Sequence, residues 1–110
     1  MTASEGDLPS GSTDAAALGA PVLTKVVTIT NKRGLHARAA AKFVTLAERF
    51  GASVDVIREG QEVSARSIMG LMMLGAGRGA ELELRAEGWD AKEALEALAA
   101  LVEAGFDEQG

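Results

Sequence analysis

Cysteine is absent from the 110 residues and histidine occurs only once. Without thiolates, disulfides and sulfur-held metal centres are excluded, and a single imidazole leaves a zinc site short of nitrogen ligands; neither a metal nor a cofactor is expected. No apolar run approaches the roughly 20 residues needed to cross a bilayer, so membrane insertion is not expected. The opening residues, Thr2-Ala3-Ser4-Glu5-Gly6-Asp7, offer neither a basic start nor an apolar leader core, which makes the cytoplasm the expected location. Positive charge is also scarce: 11 Lys and Arg stand against 16 Asp and Glu, a formal net charge of −5. Nucleic-acid binders need a basic face to neutralise backbone phosphates, so no nucleic-acid partner is expected.

What is present suffices for one domain. Hydrophobic residues make up 47% of the chain, enough for a modest core. Residues 1–21 mix Gly, Ser, Thr, Ala, Asp and Pro without periodicity and read as a flexible tail, because such a segment buries too little apolar surface to offset its ordering entropy. Residues 22–105 carry the pattern of a folded body, and residues 106–110 are expected to fray. Alternation from Leu23 to Thr30 predicts a strand, and Ala40, Phe43, Val44, Ala47 and Phe50 recur at helical spacing over residues 37–49. Alternating runs at Ser53–Arg58 and Gln61–Arg66 flank Glu59-Gly60 as a hairpin. A short helix over Ile68–Leu74 starts at Ser67, in N-cap position. A strand follows over Glu81–Ala86. Asp90 and Glu93 then read as a capping-box variant opening a last helix with Ala94, Leu95, Leu98, Leu101 and Val102 on one face. Gly75-Ala76-Gly77-Arg78-Gly79 follows a helix and precedes a strand, the reverse of a phosphate-cradling order, and reads as a flexible connector. The order β-α-β-β-α-β-α fits a two-layer α/β sandwich with helices on one sheet face and water on the other.

The lone histidine, His36, lies at the seam where the first strand gives way to the first helix. The first N–H groups of a helix have no internal partner, and the helix dipole adds partial positive charge, so the seam is an anion site; Arg38 adds a fixed cation, within a local cluster of Lys32, Arg33 and Lys42. A neutral imidazole has a free lone pair and can attack a phosphoryl group, forming a P–N bond with high transfer potential. The same residues also fit an ordinary capping histidine with a solvated arginine nearby. The short second helix is apolar nearly all round. Leu71 and Leu74 are assigned to the core, which leaves Ile68, Met69 and Met72 as an exposed patch with the pliable side chains that suit several partners.

Gly34-Leu35-His36-Ala37-Arg38-Ala39-Ala40, taken with Ser64-Ala65-Arg66-Ser67-Ile68-Met69-Gly70-Leu71, resembles the HPr phosphocarrier family of the phosphoenolpyruvate-dependent phosphotransferase system. The resemblance extends from about Leu23 to Glu103, with alanine at position 39 where the family usually has proline. It implies an open-faced sandwich with a four-stranded antiparallel sheet of order 1-4-2-3. It further implies that Nδ1 of His36 accepts a phosphoryl group from enzyme I and passes it to a IIA protein or domain, with Arg38 and the Ala37 and Arg38 amides stabilising the phosphate. Ser67 aligns with a serine modified by HPr kinase/phosphorylase in some relatives. Docking would use Ala37, Arg38, Ala41, Ile68, Met69, Met72 and Met73. The expected protein is a monomeric carrier, a substrate of enzymes and not itself a turnover enzyme, in either the sugar-uptake or the nitrogen-related regulatory branch. The alternative is a regulatory binding module that uses the Met-rich face and Ser67 without histidine phosphotransfer.

Overall fold

Alternating apolar residues in four short runs leave little choice but a sheet with one dry face. In the computed structural model, which describes residues 21–108, β1 (Val22–Thr28), β2 (Ser53–Arg58), β3 (Gln61–Ser64) and β4 (Glu81–Glu87) form that sheet in the order β1-β4-β2-β3. Every neighbouring pair is antiparallel: Lys25 faces Leu84, Val56 faces Leu84 from the other side, and Val56 also faces Val63. The sheet order is therefore the one the family resemblance implied. The proposed tail falls outside the described residues except at its last position, Pro21.

The dry face is aliphatic. Val27, Val54, Val56, Leu82, Leu84 and Ala86 point into one core with Ala40, Phe43 and Ala47 of α1 (Ala37–Ala47) and Ala94, Leu98 and Val102 of α3 (Ala91–Glu103). Leu71 of the short α2 (Ile68–Met73) and Leu74 just beyond it complete the layer, as their spacing predicted. The outer face keeps Thr24, Val26 and Thr28 exposed. Both Glu59 and Gly60 adopt positive φ (50° and 82°), the backbone that a two-residue hairpin needs to match strand twist.

Three expectations are corrected. The first helix ends at Ala47, two residues short of the predicted boundary, with Glu48 as its C-cap. Asp90 does precede α3, but its side chain makes no cap bond there. Its two buried carboxylate oxygens instead accept from Gly51 N at 2.9 Å and Ala52 N at 2.8 Å, tying the turn after α1 to the start of α3. A long-range pair of amide donors has outcompeted the local capping geometry. The third correction concerns the C-terminal segment. Residues 106–108 do not fray: Gly105–Asp107 form a 3-10 turn, and Phe106 is completely buried against the core.

Candidate functional site

β1 delivers the chain to a tight loop whose shape depends on Gly34. At φ +67° this residue sits where L side chains are strained, and a Cβ there would lie 2.5 Å from the Ala76 carbonyl oxygen. The approach is used: Leu35 N donates to that same oxygen at 2.9 Å. Residues 75–79 are thus more than the connector expected of them. Ala76 is buried, while Ile29 N donates to Ala80 O and Gly79 N to Ile29 O, so this loop buttresses the one that carries the histidine.

His36 is the N-cap of α1. Its backbone is extended (φ −80°, ψ 179°), its carbonyl accepts from Ala40 N at 2.8 Å, and its side chain makes no cap bond. The amides of Ala37, Arg38 and Ala39 have no acceptor among the described residues, and those of the exposed Ala37 and Arg38 stand open at the positive end of an 11-residue helix. The imidazole is about 14% exposed, reachable but held. Arg38 is exposed and has no ion-pair or hydrogen-bond partner among the described residues. Ala39, the position where proline was expected by resemblance, is buried in the first turn. Lys42, expected in the cationic cluster around His36, donates its Nζ to the Phe106 carbonyl at 2.8 Å.

The residue that sequence reasoning missed is Glu108. Its Oε2 contacts Nε2 of His36, and its Oε1 accepts from Nδ2 of Asn31 at 2.9 Å. Asn31 is itself buried and bonds the Gly34 carbonyl at 2.9 Å, so the carboxylate is tied to the histidine loop at two points. Hydrogen bonds from Asn31 and then His36 hold the Glu108 carboxyl below the ordinary glutamate range, partly opposed by desolvation and reinforced by the charge of Arg33. Nδ1 of His36 has no partner among the described residues. A signal for this arrangement did exist in the sequence: a glycine just past a helix end, followed by a lone apolar residue, is the pattern of a left-handed cap with a hydrophobic contact.

The other predicted residues gather on α2, which packs against α1. Ser67 is its N-cap, and Oγ accepts from Gly70 N at 2.9 Å. Ile68, Met69, Met72 and Met73 are all exposed, Met69 most of all at 71%. Ala37 is exposed and Ala41 half-buried; Arg38 and Ala41 line one shallow groove with Lys42, Thr45 and Leu46.

Comparison with known proteins finds similar sequences and a similar fold elsewhere. A family model described as "PTS HPr component phosphorylation site" matches residues 23–104. A protein from Shewanella violacea named phosphocarrier protein NPr is 48% identical over 86 residues, covering 78% of this chain and 94% of that one. One from Cupriavidus necator named phosphocarrier protein HPr is 48% identical over 87 residues, covering 79% and 98%. Among solved structures, an HPr from Thermoanaerobacter tengcongensis superposes with a TM-score of 0.76 at 43% identity, over 80% of this chain and 99% of that one.

Proposed function

This chain belongs to the HPr family of phosphocarrier proteins, and from that premise we propose that His36 is the residue that carries the phosphoryl group, on Nδ1. The observation that carries the reading is the ring's position at an open helix start: one nitrogen engaged by Glu108 and, among the described residues, the other without a partner and the first amides of the helix without acceptors beside it. In the transfer the Nδ1 lone pair forms a P–N bond, and the electrons of the broken bond to phosphorus stay with the donor. As negative charge spreads over the equatorial oxygens, the helix-terminal amides and the exposed Arg38 guanidinium stabilise it. Charge effects at a helix terminus are worth about 0.3–1 kcal/mol each, enough to hold the group and weak enough to release it. The donor in this reading is enzyme I, charged by phosphoenolpyruvate, and the acceptor a IIA protein or domain.

Docking in this reading uses Ala37, Arg38 and Ala41 with the exposed Ile68, Met69, Met72 and Met73. Apolar, pliable side chains of this kind suit successive partners. Ser67 is the proposed regulatory site for an HPr kinase/phosphorylase. A phosphate there adds about two negative charges at the edge of the docking patch and disfavours partners with acidic rims. Incubation with enzyme I and phosphoenolpyruvate tests the carrier assignment. The expected product is an acid-labile, base-stable phosphate on the wild-type chain and none on His36→Ala. Absence of label on both would leave the regulatory binding module as the function.

A further inference from the structure

The C-terminal turn is built at some cost to the backbone. Gly105, Phe106 and Asp107 all have positive φ (66°, 57° and 60°), although only the first is glycine. Non-glycine residues avoid this region, and runs of them persist only where the surroundings over-determine the conformation. Here the surroundings do so twice: Phe106 is completely buried, and its carbonyl accepts from the Lys42 ammonium. The next residue is Glu108, whose carboxylate meets His36 and Asn31. The strained turn therefore aims one side chain at one ring.

We infer that residues 105–108 form a hook that positions His36 for transfer, with the Glu108 carboxylate holding the imidazole proton on Nε2 so that the Nδ1 lone pair faces outward. In a neutral imidazole one nitrogen carries the proton and the other the lone pair, and the hydrogen bond made by one decides the role of the other. A carboxylate accepts but does not donate, so its contact with Nε2 selects the tautomer in which Nδ1 is the nucleophile. When Nδ1 bonds to phosphorus the proton stays on Nε2 and the ring gains positive character, which the adjacent carboxylate offsets. Glu108 is a positioning residue: it meets the far side of the ring from the group being transferred. Asn31 fixes the carboxylate from behind, while Phe106 and Lys42 fix the backbone that carries it.

This inference rests on the phosphocarrier reading for its consequence but not for its structural content, and the test separates the two. Nitrogen-15 spectra of His36 in the full chain, recorded where the ring is neutral, report the tautomer with no phosphoryl donor present. The Nε2–H form is expected to dominate in the wild type and in Glu108→Gln, whose amide oxygen still accepts, and the Nδ1–H fraction is expected to rise several-fold in Glu108→Ala. With enzyme I as donor, Glu108→Ala should lower turnover about tenfold, the scale of one charge-assisted hydrogen bond, and leave KM unchanged because the Met-rich face is untouched. Glu108→Gln should recover part of that loss. An unchanged tautomer ratio in Glu108→Ala overturns the hook, as does a loss seen only in KM. A shifted tautomer in a chain that takes no phosphate at all would uphold the hook and reject the carrier reading.

Discussion

Two helices of the same layer begin in opposite ways. α2 starts at Ser67, whose hydroxyl oxygen turns back to accept from Gly70 N, so one amide of its first turn is satisfied by its own cap. α1 starts at His36, whose side chain makes no such bond and points its Nε2 to Glu108 instead, leaving the amides of Ala37, Arg38 and Ala39 without acceptors among the described residues. A hydroxyl on a short stem can reach its own helix; an imidazole held by a carboxylate does not. On the proposed phosphocarrier reading, the difference separates a helix start capped by its own side chain from one that keeps its donors for a visiting anion. α3 is a third variant, in which the N-cap carboxylate of Asp90 abandons its own helix to hold Gly51 and Ala52.

That contrast can be broken most forcefully at α3. Asp90→Ala leaves two amides without their acceptor and should cost about 2–3 kcal/mol of stability in urea unfolding, with enzyme I-dependent labelling of the surviving folded fraction intact. At α1 the pattern should reverse. Arg38→Ala is expected to reduce phosphoryl transfer about tenfold, through loss of a charge-assisted contact to the phosphate, while thermal unfolding shifts little because the guanidinium is exposed. Ser67→Ala sharpens the comparison from the other side. Loss of the cap bond should cost about 1 kcal/mol by denaturant titration, with transfer rates within roughly twofold of wild type.

The smallest effects concern details of the α1 start. Ala39→Pro removes an amide but presets φ near its helical value, and transfer should change by no more than about threefold in a stopped assay. The Glu108 contribution has a defined pH sense. Its folded-state pKa is depressed by Asn31 and His36, so the stability it supplies is complete above the ordinary glutamate range and is lost as pH falls through the lowered value. Protection of the Phe106–Glu108 amides, corrected for intrinsic exchange, should accordingly persist as pH falls through the ordinary glutamate range and drop only below it, relative to protection at the Ser67 cap.

Periodicity made most of the fold legible. Alternation in β1 and β4, helical stripes in α1 and α3, and the Glu59-Gly60 turn all rest on local spacing, and each element lies where that spacing put it, to within a residue or two at most ends. His36 as a helix start and the outward face of α2 followed from the same patterns. The sheet order did not; it came by resemblance, because alternation says which face is dry but not which strand is the neighbour. Contacts far apart in sequence were also invisible. Glu108 is 72 residues from His36, and Asp90 is 38 residues from Ala52. The turn that aims Glu108 relies on left-handed backbone at Phe106 and Asp107, which composition disfavours and only tertiary burial enforces.

The central claim is that the open start of α1 receives the phosphoryl group carried by His36. Amide proton and nitrogen shifts of the full chain, compared before and after phosphorylation by enzyme I, test it directly. The largest changes are expected at Ala37 and Arg38, with phosphorus coupled to Nδ1 and little movement at Gly70 beside the Ser67 cap. Unshifted amides at positions 37 and 38 in a phosphorylated chain, or coupling to Nε2, would contradict it.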